Sequence, residues 1–157
     1  MRFVDAPVFI KWMSASRKGL SLEAAISGYV LYRIENMEPA VTTTLVKDEV
    51  LIWLSRYRAS ALPTFIKAIR SLYSLDIIAP TLEDQENACS MYGKLPIGLS
   101  DIISFTVMKR LNITEIYTPD KEFEKSGVTT VFYELAEREG FREFTDFLKT
   151  KNYNLAF

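Results

Sequence analysis

The sequence predicts an α/β fold in which a central, mostly parallel sheet is covered by helices on both faces. Short β-branched or apolar runs alternate with segments of helical periodicity, as expected for parallel strands joined by helical crossovers. The 157 residues suit one domain. With 48% hydrophobic and 25% charged residues, the composition is that of a folded domain rather than a disordered chain.

The first third of the chain predicts one strand and two helices. The apolar pair Phe3 and Val4 indicates a strand that ends at Asp5. A helix is expected over residues 7–13, because its first residue is a proline, which suits the first turn of a helix. Ser21 has the hydroxyl expected of an N-cap, and the apolar residues of 22–34 recur at helical spacing.

The middle of the chain predicts two more strands and three helices. The β-branched run 41–44 indicates a strand, and apolar spacing predicts helices over 46–57 and 65–73. Residues 77–79 indicate the next strand. Thr81 is the expected N-cap of a further helix, whose first turn carries acidic residues that its dipole favours.

The last third predicts a helix over 100–111, strands over 115–118 and 128–132, and a helical tail from residue 134. The tail carries an apolar stripe that we expect to cover the protein's own core rather than a partner surface. The stripe consists of Phe141, Phe144, Phe147 and Leu148.

Composition excludes several classes of chemistry. The chain has no histidine, which excludes histidine metal sites, Ser-His-Asp and Cys-His catalysis, and histidine acid–base pairs. Its one cysteine, Cys89, excludes an intrachain disulfide and fits a reducing compartment; we expect this side chain to be buried. The 19 basic and 20 acidic residues leave a net charge of -1, which allows only a local basic rim. Without a long apolar run or a signal peptide, we expect a cytoplasmic protein with no membrane association.

Two acids lie on helix faces that should be apolar. On a helical wheel Glu49 falls between apolar groups on both sides, whereas its neighbour Asp48 points outward. Asp101 lies near the middle of the apolar arc of its helix, flanked by Phe105 and Met108. A role in the first helical turn would also account for Asp101, and we keep that alternative open.

Two further acids, Asp5 and Asp120, follow predicted strands. In open parallel sheets, ligands bind outside the carboxyl ends of the strands, at the point where the strand order reverses. For either acid taken alone, a turn residue or a helix cap is the more common role. Four desolvated carboxylates together repel one another unless a proton, a partner or a cation compensates them. With oxygen ligands only, Mg²⁺ or Mn²⁺ is favoured over zinc.

These motifs, in this order, resemble a PIN domain over roughly residues 1–132. The motifs that carry the resemblance are Phe3-Val4-Asp5, residues 43–49, Leu99-Ser100-Asp101-Ile102-Ile103, and Tyr117-Thr118-Pro119-Asp120-Lys121-Glu122-Phe123. The resemblance implies a three-layer α/β/α sandwich with endoribonuclease activity that depends on Mg²⁺ or Mn²⁺. We therefore divide the chain into a nuclease domain, 1–132, and a helical extension, 133–157, packed on it.

The resemblance also assigns roles to individual residues. The four positions that match the family's catalytic and metal-binding acids are Asp5, Glu49, Asp101 and Asp120. Thr118 matches the hydroxyl residue that precedes the last acid and supports the site from outside the ligand set. The family's opening motif is usually Asp-x-Asn, whereas here Pro7 replaces the amide. Such supporting groups commonly matter about 10–100-fold for metal affinity or activity, so this departure bears on catalytic strength rather than on folding.

RNA can approach four acids only if cations offset their charge, so a basic rim is expected. The candidate residues for this rim are Lys11, Arg17, Lys18, Arg56 and Arg58. Small proteins of this kind resemble the toxin of a VapBC-type toxin–antitoxin pair, which implies an antitoxin partner; we also expect a homodimer. Ribosomal-RNA processing is a second role for such a nuclease.

Two interpretations from other classes remain open. A PIN-like module that no longer cuts could serve as an RNA-binding or assembly subunit, and Pro7 is the feature in its favour. An unrelated doubly wound domain is the other, but no glycine-rich phosphate loop follows the first strand.

Overall fold

A computed structural model describes all 157 residues and contains a five-stranded, all-parallel sheet. The strands are β1 (Arg2–Val4), β2 (Ala40–Thr43), β3 (Leu75–Ile78), β4 (Glu115–Tyr117) and β5 (Thr129–Thr130). Their order is β3-β2-β1-β4-β5, and every neighbouring pair is parallel. The chain therefore builds outward from β1 on one side, through β2 and β3, and then returns to place β4 on the other side. This confirms the predicted class of fold.

Seven helices flank the sheet and complete the α/β/α architecture. They are α1 (Ala6–Met13), α2 (Leu22–Glu35), α3 (Thr44–Tyr57), α4 (Leu62–Ser71), α5 (Leu82–Met91), α6 (Leu99–Arg110) and α7 (Glu139–Thr150). Three short 3₁₀ helices cover Ala59–Ala61, Lys121–Ser126 and Tyr133–Glu137. Helices α2 and α3 both pack against α1, α7 packs on α2, and α5 and α6 form a separate pair.

Side-chain caps explain where several helices begin. The hydroxyl of Ser21 accepts a hydrogen bond from the N–H of Ala24, as the sequence predicted for the start of α2. At α5, Thr81 and Asp84 form a reciprocal capping box, in which each side chain accepts from the backbone N–H of the other residue. These caps satisfy donors that the first turn of a helix leaves without partners.

The C-terminal helix α7 contributes to the main core of the protein. Phe141, Phe144 and Leu148 are buried in the same cluster as strand residues such as Phe3. The rings of Phe141 and Phe144 pack on α2, where the ring of Tyr29 meets Phe141 edge-on at 5.7 Å between centroids. Phe147, by contrast, is 48% exposed, so the predicted apolar stripe was wrong at that position.

Three other features differ from the sequence predictions. Strand β5 is shorter than the predicted 128–132, because only Thr129 and Thr130 pair with β4. Cys89 is exposed rather than buried. The tail predicted to be helical from residue 134 is not helical after Thr150, and this last segment returns to the α1–α2 loop, where Leu155 forms a parallel bridge with Leu20. None of the helices has the length and apolar character needed to cross a membrane.

Candidate metal centre

The four predicted acids belong to elements that begin or end near the carboxyl edge of the central strands. Asp5 follows β1, the middle strand, and Asp120 follows β4, its neighbour across the point where the strand order reverses. Glu49 lies in the second turn of α3, which begins where β2 ends. Asp101 lies in the first turn of α6.

Asp5 is the most buried of the four, at 4% exposure, and its backbone position is fixed at the start of α1. As the N-cap, its Oδ1 accepts a hydrogen bond from the N–H of Ala6 at 2.9 Å. Burial, and to a smaller extent the negative charges of Asp101 and Glu49, raise its pKa to about 7. Hydrogen bonds from Thr118 and Ala6 oppose this rise without cancelling it. A carboxyl group with this pKa lacks a compensating positive charge.

Thr118 connects the β1 and β4 sides of the site. Its buried hydroxyl donates to Asp5 Oδ2 at 2.8 Å and accepts from the backbone N–H of Asp120 at 3.2 Å. One hydroxyl therefore fixes both the carboxylate after β1 and the backbone that carries the acid after β4.

Asp101 is half-buried, and burial followed by the charges of Glu49 and Asp120 raises its pKa to about 6. The backbone N–H of Gly98, the N-cap residue of α6, lowers the pKa in the opposite direction. Asp101 is the third residue of α6, and its carboxylate faces back toward Gly98. This position is compatible with the alternative left open by the sequence, in which Asp101 stabilises the first turn of its helix. Gly98 was missed as a support, although a glycine before Leu99-Ser100-Asp101 was visible in the sequence.

Glu49 and Asp120 are both half-buried and complete the acidic edge. Glu49 contributes to the raised pKa values of both Asp5 and Asp101, and Asp120 to that of Asp101. The carboxylate of Asp120 is oriented by the N–H of Glu122, which donates to its Oδ1 at 2.9 Å. The four carboxylates therefore act on one another electrostatically, although they come from four separate elements.

The donor set fits a hard divalent cation by its chemistry. All four side chains offer carboxylate oxygens, and none forms an ion pair with a lysine or arginine, unlike the buried Asp84, which pairs with Arg110. No three acidic or cysteine side chains lie close enough together to hold one ion as they stand. A cation would therefore have to bring these carboxylates closer together, against their mutual repulsion.

The predicted basic rim is not a ring around the acids. Lys11 forms an ion pair with Glu23 at 2.6 Å, which neutralises its charge locally. The other candidates lie near the C-terminal ends of α1 and α3, whereas Asp5 and Glu49 lie nearer their N-terminal ends. Those candidates are Arg17, Lys18, Arg56 and Arg58, all of them exposed.

Solved structures of three toxin or toxin–antitoxin proteins share this fold. VapC20 of Mycobacterium tuberculosis, described as a sarcin–ricin loop cleaving toxin, matches with a TM-score of 0.67 at 21% identity, over 82% of this chain and 97% of that one. A toxin–antitoxin complex from Klebsiella pneumoniae matches with a TM-score of 0.58 at 17% identity, over 78% and 90%. VapBC2 of Rickettsia felis, bound to a promoter DNA fragment, matches with a TM-score of 0.58 at 12% identity, over 82% and 96%.

The sequence, as well as the fold, indicates the family to which the chain belongs. A model of the PIN domain family matches residues 2–128, which contain all four acids and Thr118. No curated protein sequence matches the chain. The resemblance inferred from the motifs is confirmed: the chain belongs to the PIN domain family.

Proposed function

We propose that this protein is an endoribonuclease that hydrolyses RNA phosphodiester bonds with the help of Mg²⁺ or Mn²⁺. The observation that carries the proposal is the uncompensated charge at the carboxyl edge of the sheet. Two carboxyl groups there, Asp5 and Asp101, have pKa values raised to about 7 and about 6, and neither has a basic partner. Structural acids usually have the opposite shift, as Asp84 does beside Arg110.

In this proposal Asp5, Asp101 and Asp120 hold the cation, with Glu49 as a further ligand or as the group that orients a water. When bound, the ion supplies Lewis-acid chemistry: it lowers the pKa of a nucleophilic water and offsets charge developing on the phosphate. The chain's own residues position the ligands. Thr118 holds one oxygen of Asp5, and the N–H of Ala6 holds the other. Because the chain has no histidine, no imidazole base takes part.

The biological role we propose is that of the toxin in a VapBC-type pair. Its fold is shared with a toxin described as cleaving the sarcin–ricin loop and with toxin–antitoxin complexes. An antitoxin encoded as a separate chain, a homodimer and a cytoplasmic location belong to the same proposal. So does the division into a nuclease domain, 1–132, and an extension, 133–157. A ribosomal-RNA-processing nuclease would use the same site on another substrate.

A non-cutting PIN module is the second candidate, and Pro7 is the observation that favours it. Pro7 stands in the first turn of α1, two residues after Asp5, and offers neither a side-chain amide nor a backbone N–H. The hydrogen bond that a side-chain amide at this position would donate is therefore absent, although both carboxylate oxygens of Asp5 accept hydrogen bonds from Ala6 and Thr118. All four acids are nevertheless retained, which favours the nuclease.

The deciding experiment is cleavage of a mixed pool of structured and single-stranded RNAs. Wild type and Asp101→Asn are compared with Mn²⁺, with Mg²⁺ and with EDTA, and Asp76→Asn serves as a control because Asp76 is exposed, lies on β3 and has no ion-pair partner. We expect cleavage by wild type and the Asp76 variant only, abolished by EDTA. Equal cleavage by the Asp101 variant would contradict the site. Manganese binding without any cleavage would support the non-cutting module, and Pro7→Asn would then test whether the missing amide is the cause.

A further inference from the structure

A groove at the far end of α1 is lined by cations and aromatic rings and has no acidic wall. Its volume is about 580 Å³, and the α1–α2 loop, the residue after α3 and the C-terminal tail contribute to it. The residues that give it its character are Trp12, Arg17, Lys18, Arg58 and Tyr153. We call it the α1–tail groove. It is separate from the acidic edge, since none of the four acids lines it.

The three cations of the groove have no carboxylate partner in the structure. Neither Arg17 nor Arg58 nor Lys18 takes part in an ion pair, although eight other basic residues do. Two of them are held by backbone instead: the Nη1 of Arg58 donates to the carbonyl of Ser14 at 2.9 Å, and that of Arg17 to the carbonyl of Lys151 at 3.5 Å. The neutral carbonyl of Ser14 orients the guanidinium of Arg58 without cancelling its charge, and the longer contact of Arg17 likewise leaves its charge uncompensated.

Two stacked aromatic rings and a guanidinium group lie together along one wall of the groove. The ring of Trp12 stacks on that of Tyr153, with centroids 5.9 Å apart and planes 15° from parallel. The guanidinium of Arg17 lies over the Tyr153 ring at 4.9 Å. The inner end of the stack is closed, because a Cβ at Gly28 would come within 2.5 Å of the Trp12 ring. Arg17 itself is exposed, so its guanidinium group beside the Tyr153 ring is open to a ligand.

The wall exists because the C-terminal tail folds back on the α1–α2 loop. The N–H of Asn154 donates to the carbonyl of Arg17 at 2.7 Å, and the N–H of Ala156 to the carbonyl of Leu20 at 2.8 Å. Tyr153 is thereby brought onto Trp12. Since the family match ends at residue 128, this part of the groove is made by the segment that the family pattern does not cover.

We propose that the α1–tail groove binds single-stranded RNA, as a contact site outside the metal centre. Unpaired cations suit phosphates, and an exposed guanidinium group beside stacked aromatic rings suits an unstacked base. The carboxylates of an acidic protein segment would pair with the cations, but they would not stack on the aromatic rings. Trp12 lies about 10 Å along α1 from Asp5, about three nucleotides of a stacked strand, so one RNA could contact both.

This inference rests on the proposed function only in taking RNA as the substrate, and its test needs no cleavage. We would measure binding of a fluorescent 12-nucleotide single-stranded RNA by anisotropy in EDTA over a range of salt. The variant combines Arg17→Gln, Lys18→Gln and Arg58→Gln. Because this variant can no longer neutralise three phosphates, the slope of log affinity against log salt should fall by about 2, and affinity at 0.1 M salt by about 100-fold.

A control variant separates the loss of the groove's cations from the loss of net charge alone. Lys67→Gln, Arg70→Gln and Lys94→Gln remove the same charge from exposed basic residues outside the groove that also lack ion pairs. We expect the affinity of this variant to fall by no more than about 5-fold. Arg17→Lys keeps the charge but not the plane, so it should leave the salt slope unchanged and still weaken binding about 5-fold or more. Thermal melts check that each variant is folded.

The outcomes distinguish this proposal from the nuclease assignment. The proposal that the groove binds RNA would be wrong if both triple variants lost affinity equally, or if wild type did not bind RNA. It would also be wrong if the groove variant lost binding of an acidic helical peptide while RNA binding persisted. RNA binding through the groove without metal-dependent cleavage would leave this proposal standing and remove the proposed activity. If the groove variant cleaved RNA with the same KM and kcat as wild type, the proposed activity would stand and the α1–tail groove would be excluded as an RNA-binding site.

Discussion

The raised pKa of Asp5 predicts that the metal-free protein loses stability as the pH rises, and that Asp5→Asn removes much of this loss. Asparagine has nearly the same shape as aspartate, so it can still accept from the N–H of Ala6, and its amide faces the hydroxyl of Thr118. The substitution therefore removes the charge while keeping the helix cap. The difference in stability between wild type and Asp5→Asn is then the free energy of ionising a buried carboxyl group.

The magnitude follows from the shift itself. The pKa of Asp5 rises from the usual 3.8 to about 7 on folding. Because the folded-state pKa is the higher one, the stabilising contribution is complete below about pH 4 and is lost as the pH rises through 7. For one such group the loss between pH 5 and pH 8 is roughly 2.5 kcal/mol. Asp101, with a pKa of about 6, adds a smaller loss in the same direction.

The assay is chemical unfolding in EDTA at pH 5 and pH 8. Wild type should be less stable at pH 8 than at pH 5 by a few kcal/mol, and Asp5→Asn should be the more stable protein at pH 8. Asp76→Asn, an exposed acid outside the site, should follow wild type at both pH values. If Asp5→Asn were instead destabilised equally at both, Asp5 would be a structural cap whose charge costs nothing, and the reasoning from burial would fail.

Three other predictions use the same site and core. At pH 8, Mn²⁺ at 100 times its Kd should raise the free energy of unfolding of wild type by about 2.7 kcal/mol. At pH 5.5 the same Mn²⁺ concentration should stabilise it less, because protons compete for Asp5 and Asp101. A stabilisation that does not depend on pH would exclude these carboxyl groups as ligands. Thr118→Val removes a hydrogen bond that lowers the pKa of Asp5, so the pH-dependent loss of stability should move to higher pH, whereas an unmoved profile would show that the bond is unimportant. Phe144→Ala should cost about 3–5 kcal/mol in urea unfolding, while Phe147→Ala, at an exposed position of the same helix, should cost under about 0.5 kcal/mol; equal effects would show that α7 is not packed as described.

The parts of the fold that the sequence predicted are those governed by local rules. Hydrophobic spacing, Pro7 and the hydroxyl of Ser21 located α1 and α2 to within about two residues. The same spacing identified Glu49 and Asp101 as acids on otherwise apolar faces. The common edge of Asp5 and Asp120 was predicted from the alternation of strands and helices, because parallel strands end on the same side of a sheet.

What the sequence did not predict depends on contacts between distant segments. The pairing of Leu155 with Leu20 has no local signal, since a single bridge leaves no alternating pattern in either segment. The ion pair of Lys11 with Glu23 joins two helices whose relative rotation no spacing rule fixes. Cys89 was placed inside by its apolar character, yet it lies on the outer face of α5 and is exposed. Such features follow from packing rather than from periodicity.

For Asp5, Asp101 and Asp120, a position at the start of a helix is compatible with the proposed role as a metal ligand. Asp5 and Asp120 both cap the helical turns that follow them, and Asp101 lies in the first turn of α6. Helix N-termini carry partial positive charge, so this placement stabilises several carboxylates at one edge without any basic side chain. The compensation is incomplete, because burial and mutual repulsion still keep the pKa values of Asp5 and Asp101 raised. The helix ends therefore allow the acids to fold together, and the remaining negative charge is what a divalent cation would neutralise.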